Sequence, residues 1–537
     1  MRIACITYIL LAVAQTGVES VNILAIFLYN MPTPYLVVRP FLEKLVARGH
    51  ELTIISAVLF LPDIKGARHV RVNALDRLIN DILKWDWDVD FDMSKWQESL
   101  WIADFHYNAS LAILSDAAVQ AMLKDNSQHF DMMIMEPIHS DALLGIAEHF
   151  DACLVGLSAF GSSWKLDYVA GNAAPSVYTP YSPTGYTKGQ SFLEKWQNWI
   201  YISEEWLIDR LVYRPGQQKL FRHFFPYSTD ILQNRRRGFS LILVNEHFSL
   251  GRAKSNVPNI IEVAGMHLEL PSEPLDEQLQ RFLDEAEHGV IYFSLGIEII
   301  DKFLPAELWV MLLQAFSQLK QRVVWKIEMD IKIPAEQAQR IYLSSSLPQR
   351  QLLQHPNMKL FITHGGLLSI MEAVHAGVPM LGLPIYYDQF ANMERMERLG
   401  VACSIELSLI TIEKFTRTIE NLLYSPQYRQ RAQQLSERFL DEPMRPLDKA
   451  VWWTEYVLRH KGAPHMRMTD EDMPFISYYS VHILTVLIVP IGLAALLLLL
   501  VAYKLLRILC KLFCKPTATH QISIRRCTRD RSCVLIN

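Results

Sequence analysis

Phe361-Ile362-Thr363-His364-Gly365-Gly366-Leu367-Leu368-Ser369 is the stretch that decides the fold. A short β-prone run ends in a glycine pair and is followed by an apolar, helix-compatible run, which reads as strand, tight turn, helix. In an open parallel sheet, ligands bind beyond the C-terminal ends of the strands, and a helix that starts there aims its free N–H groups at an anion. Gly365 and Gly366 let the backbone approach a phosphate closely. His364 and Ser369 can add side-chain donors. Taken alone, the glycine pair is equally an ordinary turn between strand and helix, but its neighbours point to a ligand. Glu372, three residues beyond Ser369, faces the same side of the helix, and a carboxylate can accept hydrogen bonds from both hydroxyls of a ribose. Beyond the next strand lies Asp388-Gln389, a carboxylate-amide pair suited to sugar hydroxyls and also to capping the helix that follows.

Working outward, strand-like and helix-like patterns alternate. Val290 to Leu295, Val323 to Ile327, Leu360 to Thr363, Met380 to Leu383 and Ala402 to Ile405 read as strands, separated by helical patterns such as Pro305 to Leu319 and Gln389 to Leu399. The first half behaves likewise. Strands are expected at Val21 to Phe27, Glu51 to Val58, Met132 to Met135, Cys153 to Ala159 and Leu241 to Val244, with helices over Arg39 to Arg48 and Asp141 to His149. Such alternation predicts an α/β fold of two doubly wound parallel sheets covered by helices. Asp167 to Arg237, rich in Tyr, Trp and Pro, is expected to form loops and amphipathic helices lining a cleft. Pro258, Pro271 and Pro274 mark 258–275 as a linker between an N-terminal domain, 21–257, and a second domain, 276–460; a helix over Leu447 to Arg459 and a membrane-proximal segment, 461–480, follow.

The 537 residues exceed what one core usually holds. Half are hydrophobic and the net charge is −4, which excludes a disordered chain and gives no basic footprint for nucleic acid. Met1 to Ser20, with Arg2, an apolar run from Ile3 to Val13 and small polar residues after it, has the layout of a cleavable signal peptide. Val481 to Tyr503 contains no Asp, Glu, Lys or Arg and is long enough to cross roughly 30 Å of hydrocarbon as one helix. Lys504, Arg507, Lys511 and Lys515 follow it, and Glu471 and Asp472 precede it. The positive-inside rule then places the basic tail, 504–537, in the cytosol and the bulk of the chain in a lumen. Of seven cysteines, only Cys153 and Cys403 fall in the lumenal part, without disulfide or zinc spacing, and both read as buried small hydrophobes. Cys510 and Cys514 are candidates for palmitoylation. Asn108-Ala109-Ser110 is a glycosylation sequon.

The run Leu347-Pro348-Gln349 through His355-Pro356, Phe361 to Gly366, Ser369, Glu372-Ala373, Gly377-Val378-Pro379, Pro384, Asp388-Gln389 and Asn392 closely resembles the signature of the UDP-glycosyltransferases, the glucuronosyl/glucosyl detoxifying family. The likeness extends from about Val21 to the membrane segment and includes Arg48-Gly49-His50, Phe293-Ser294-Leu295-Gly296, Trp453-Thr454-Glu455-Tyr456-Val457 and Arg459-His460-Lys461-Gly462. It is most similar to the insect branch, whose usual donor is UDP-glucose. The resemblance implies a GT-B fold: two Rossmann-like halves facing a cleft, the first choosing a small lipophilic acceptor and the second holding the UDP-sugar. It further implies an inverting displacement with no metal or cofactor, the UDP-sugar being a substrate, in the endoplasmic reticulum membrane with the catalytic domains lumenal. On the family pattern, Gln349 and Glu372 contact the nucleoside, His364 and Gly366 the diphosphate, and Asp388 with Gln389 the sugar.

Three positions depart from that pattern. Counting back from Arg48-Gly49-His50, the family's general-base histidine aligns with Pro34, which cannot accept a proton. The acid that would orient that histidine aligns with Glu136. The uracil-stacking tryptophan before Leu-Pro-Gln is Ser346, and the serine after Phe-Ser-Leu-Gly is Ile297. Three readings follow. The chain is an active transferase in which Glu136 or His139 acts as base, or whose acceptor is a thiol or amine; or it is an impaired member that binds a small molecule or nucleotide, alone or in a homo- or hetero-oligomer; or it is a receptor or lipid carrier on the same scaffold.

Overall fold

A computed structural model of the protein describes residues 20–29, 31–57, 61–83, 95–172, 191–228, 238–251, 255–296, 305–329, 331–385, 388–468 and 481–513. The signal-peptide reading of the first residues, Ile297 and the tail beyond residue 513 lie outside them. Residues up to Met468 form one compact unit, and the chain from Thr469 onward forms a second.

Two all-parallel sheets carry the first unit. The first contains β1 (Asn22–Ile26), β2 (Glu51–Ser56), β3 (Arg68–Arg71), β4 (Met132–Met135), β5 (Cys153–Ser158), β6 (Phe239–Val244) and β7 (Ile260–Glu262), in the order β3-β2-β1-β4-β5-β6-β7. The second contains β8 (Val290–Ser294), β9 (Arg322–Lys326), β10 (Ile341–Ser344), β11 (Met358–Thr363), β12 (Met380–Gly382) and β13 (Ala402–Ser404), in the order β10-β9-β8-β11-β12-β13. Both sheets therefore reverse their winding once, between β1 and β4 and between β8 and β11. At such a switch point the adjacent loops leave in opposite directions and open a crevice.

Period-2 alternation explains why these strands are central. Ile23 and Ala25 of β1 enter one core while Leu24 and Ile26 enter another, and in β8 Val290 and Tyr292 part from Ile291 and Phe293 in the same way. Strands buried on both faces read as continuous apolar runs, which made them legible. β3, with two arginines and a histidine in four residues, and β10 are edge strands without that signal and were not expected. β7 lies inside the segment read as a linker, because its three residues pair with β6 at the sheet edge.

Helix α1 (Thr33–Ala47) starts six residues before the expected Arg39. Pro34 sits in its first turn, where a missing N–H costs nothing, and the helix buries Tyr35, Val37, Val38, Phe41, Leu42 and Leu45. In the same half lie α2 (Lys95–Leu114), α3 (Trp164–Ala170), α4 (Phe192–Ile208) and α5 (Arg214–Phe224), with a π-helical turn, Asp209–Tyr213, joining the last two. In the second half, α6 (Gln349–Leu353), α7 (Leu367–His375) and α8 (Gln389–Arg398) follow β10, β11 and β12 respectively.

Helix α9 (Pro446–Arg459) returns to the first half and packs on α1 and β6. Glu455, buried on α9, takes a bidentate pair of hydrogen bonds from Arg48 at 2.8 and 2.9 Å, and Lys44 meets Asp448 at 3.0 Å. One continuous apolar cluster joins β1 and α1 to α7 and α9. The second unit contains α10 (Val481–Phe513), within which Ile488–Leu512 is long and apolar enough to cross a membrane.

Candidate active site

Three groups of side chains converge on the C-terminal ends of β8, β9, β11 and β12. The first surrounds Gln349 at the start of α6. Its amide donates to Glu372 Oε2 at 2.6 Å and to Ser369 Oγ at 3.2 Å, and its Oε1 accepts from the Tyr292 hydroxyl at 3.0 Å. Ser369 and Glu372 stand one turn apart on α7, as the spacing requires. Burial pushes Glu372 up to about 7, against the pull of Gln349 and Arg350. Ribose hydroxyls donating to that carboxylate would repay part of its lost hydration.

The second group is a glycine-lined cradle around His364. Register sets Thr363 beside Ser294, so the residues that follow each strand meet at the switch point. The His364 ring occupies space that exists only because its neighbours lack side chains: a Cβ on Gly366 would lie 2.5 Å from its Nε2, and one on Gly296 2.9 Å from its Cε1. Burial, with Lys326 nearby, holds His364 down to about 4, so the imidazole is neutral at pH 7. Its Nδ1 is buried and has no hydrogen-bond partner among the described residues. An unpaired ring nitrogen in a cradle of this kind is what an incoming oxygen ligand satisfies. Gly365 holds φ at +90°, and its own amide donates to Thr363 Oγ1 at 3.2 Å. Its part is therefore conformational, and the amides after it, which open α7 and lack intrahelical acceptors, are the ones left free to serve as donors.

The third group is Asp388-Gln389 at the start of α8. Asp388 Oδ2 accepts from Asn392 Nδ2 at 2.7 Å, and the same amide donates to the Gly365 carbonyl at 3.1 Å, which ties this pair to the cradle. Gln389 Oε1 accepts from the Ile385 amide at 2.8 Å. Asp388 makes no side-chain cap bond to its helix.

Two residues of this constellation escaped the sequence reading. Lys326, at the end of β9, is buried and donates to the Gly296 carbonyl at 2.6 Å, which puts a cation beside the cradle. Tyr292, stacked on Phe361 at 5.0 Å, orients Gln349. Each looked like one more strand residue. The signal available was a lysine ending an otherwise apolar strand, an expensive place for a charge unless it has work there. Ser346 lies on the exposed turn after β10, its amide donating to Ser344 Oγ at 3.3 Å.

A second crevice lies at the other switch point. Glu136 follows β4 and is buried; Tyr29, two residues after Phe27 on the neighbouring β1 path, donates its hydroxyl to Glu136 Oε2 at 2.5 Å. Burial pushes Glu136 up to about 8 and Tyr29 well above the usual phenol range. Tyr35 and Phe160 pack edge-on to Tyr29 at 5.4 and 5.9 Å. Pro34 is buried in the first turn of α1. His139 is held at φ +74°, and its ring stacks on that of the half-buried His106 at 5.0 Å. Asn108 lies within α2, its amide donating to Asp104 at 3.0 Å. Among the described residues, no group of three or more His, Cys, Asp or Glu could hold a metal.

With this geometry in place, comparison with known proteins identifies the family. A profile described as "UDP-glucoronosyl and UDP-glucosyl transferase" matches residues 33–517. The chain belongs to the UDP-glycosyltransferase family. The UDP-glycosyltransferase UGT5 of Dactylopius coccus is 31% identical over 87% of this chain and 89% of that protein. Human UDP-glucuronosyltransferase 2B15 is 26% identical over 85% of this chain and 89% of its own length. Among solved structures, the glycotransferase of kitacinnamycin superposes with a TM-score of 0.58 at 16% identity, covering 81% of this chain and 99% of that one. CalG4, the calicheamicin glycosyltransferase, gives 0.55 at 17%, covering 82% and 99%. At these identities the likeness is one of fold, and the fold is GT-B: two Rossmann-like halves. In this UDP-glycosyltransferase the cradle of the second half stands where a nucleotide-binding switch point is expected.

Proposed function

We propose that this UDP-glycosyltransferase transfers a hexose, glucose in the first instance, from a UDP-sugar to a small lipophilic acceptor with inversion at the anomeric carbon. The observation that carries the proposal is the linked constellation Tyr292-Gln349-Glu372-Ser369, His364-Gly366-Lys326 and Asn392-Asp388-Gln389, which offers acceptors for a ribose, cationic and N–H donors for a diphosphate, and a polar pair for a hexose. A base takes the acceptor's proton, the acceptor atom bonds to the anomeric carbon, and the bond from that carbon to the diphosphate oxygen breaks, UDP leaving with the electron pair. The cradle favours that departure, because its donors face the charge that develops there. We assign Glu136 as the base, oriented by Tyr29; a carboxylate lifted to about 8 is a stronger base than an ordinary one.

In this proposal α10 anchors the chain as a single-pass span in the endoplasmic reticulum membrane, both α/β halves in the lumen and the tail in the cytosol. Asn108 carries a glycan, and the biological role is detoxification. The test is a microsomal assay with labelled UDP-glucose and UDP-glucuronate against phenols, steroids, thiols and amines, beside UDP calorimetry. Transfer that disappears in Glu136→Ala while UDP binding survives is the expected result. Absence of any UDP or UDP-sugar binding would sink the reading.

A second reading is favoured by one observation, the burial of Pro34 in the first turn of α1 where the family pattern calls for histidine. On that reading the chain binds nucleotide and lipophile, or joins an active relative, without transfer. Binding without turnover in the wild type, with turnover gained in Pro34→His, would select it.

A further inference from the structure

Met393, buried on α8, lies where two glycines make room for it. A Cβ on Gly365 would stand 2.6 Å from its Cγ and 3.1 Å from its Sδ, and a Cβ on Gly382 would stand 2.5 Å from both its Cγ and its Cε. Gly365 has a second reason to be glycine, its left-handed backbone. Gly382, the last residue of β12, has no such reason: its φ lies outside the left-handed region, and a glycine in a strand commonly marks a close approach by another group. Here that group is the Met393 thioether. Strand register sets the two glycines side by side, because Thr363 of β11 pairs with Gly382 and Gly365 follows two residues later. One side chain of α8 therefore rests against the end of β12 and against the turn that opens α7.

What this slot positions is the start of α8. Asn392, the preceding residue, donates to the Gly365 carbonyl at 3.1 Å and to Asp388 Oδ2 at 2.7 Å, and a Cβ on Gly365 would also stand 3.1 Å from the Gln389 carbonyl oxygen. About one helical turn separates Met393 from Gln389. Two adjacent residues thus hold the Asp388-Gln389 pair at a fixed spacing from the cradle, Asn392 by hydrogen bonds and Met393 by shape. The nucleoside group is carried elsewhere, Gln349 on α6 and Ser369 with Glu372 on α7. In a close-packed interior a change of side-chain volume moves what rests on it, and a displacement of about 1 Å in a reacting group can cost on the order of a hundredfold in rate.

We propose that Met393 is a positioning residue for the hexose: seated against Gly365 and Gly382, it fixes the distance from Asp388-Gln389 to the cradle, and so governs how the sugar, as distinct from the nucleotide, is held. The inference rests on the reading of this site as one for a UDP-sugar. The full-length protein is titrated by calorimetry with UDP and with UDP-glucose, in the absence of acceptor. In Met393→Ala and in Gly382→Ala, UDP affinity should stay within about twofold of wild type while UDP-glucose affinity falls at least about tenfold, as for one lost hydrogen bond to a charged group. In the double variant Gly382→Ala, Met393→Ala, the added methyl enters the space that the thioether leaves, and UDP-glucose affinity should return to within about threefold of wild type. Met393→Leu preserves volume and therefore folds even if the alanine variants do not. Its branch falls at the Cγ that faces both glycines, so it should show the same selective loss. Equal weakening of UDP and UDP-glucose in Met393→Leu overturns the proposal, because that is what a side chain serving only to pack the core would give. Unaltered UDP-glucose affinity in these variants overturns it too, as does a double variant weaker than both singles or a wild type that binds UDP and not UDP-glucose. A wild type that binds neither ligand fails one step earlier, removing the donor site and this inference with it.

Discussion

At the residue scale, two buried carboxylates stand in different surroundings. Glu136 and Glu372 are both lifted by desolvation, to about 8 and about 7, yet their neighbours differ: Glu136 meets a phenol, and Glu372 an amide that also holds Ser369. If Glu136 is the base, its ionised fraction sets the rate, so kcat/KM for a hydroxyl acceptor should rise with pH and level off near 8; a flat profile across pH 6–9 would remove it. The same shift has a consequence for stability. Because the folded value lies above the ordinary 4.5, the folded state holds the proton more tightly, and its contribution is full below 4.5 and lost as pH rises through 8. Glu136→Gln imitates the protonated form and escapes that loss. It should gain at least about 1 kcal/mol on the wild type between pH 5 and pH 8 in urea titrations, while abolishing transfer. If Glu372 holds the ribose as proposed, Glu372→Ala should weaken UDP about 10–100-fold by calorimetry and leave inorganic pyrophosphate binding unchanged.

At the scale of elements, the β11-to-α7 turn is the part with least freedom. Gly365 is at φ +90°, and a Cβ there would sit 2.6 Å from Met393 Cγ on α8. Gly365→Ala should cost about 1–3 kcal/mol of stability and, unlike Glu372→Ala, weaken pyrophosphate as well as UDP, because it moves the amides that follow. The turn after β10 is permissive by contrast. Ser346 is exposed there, so Ser346→Trp should be accommodated and tighten UDP by several-fold, about 1 kcal/mol of stacking, in the same calorimetric assay. An unchanged affinity would mean that the nucleobase lies elsewhere.

For the whole molecule, the return of α9 to the first half ties the two sheets together. Glu455 is buried, while Arg48 is about half exposed and can find water if its partner goes. Glu455→Ala should therefore cost about 1–2 kcal/mol, the lower range for a charged hydrogen bond, and lower the Tm of the whole unit. A Tm equal to that of the wild type would show that the apolar cluster shared by α1, α7 and α9 holds the halves without it.

Read as a linear pattern, the chain by itself determined the class of fold and the core of the candidate nucleotide site. Parallel strands buried on both faces are written as uninterrupted apolar runs, and a glycine pair followed by Ser369 and Glu372 at helical spacing states its geometry locally. Only the tertiary structure decided what depends on distant segments meeting. It set Tyr29 against Glu136, 107 residues away, and Lys326 beside Gly296 from the neighbouring strand. It also assigned Gly365's amide to Thr363, made edge strands of the polar β3 and of β7, and returned α9 to the first domain. Such facts arise from strand order and burial, which bring a hydroxyl and a carboxylate within bonding distance and shift the proton affinity of both. No periodicity in a single sequence encodes which strand becomes the neighbour of which.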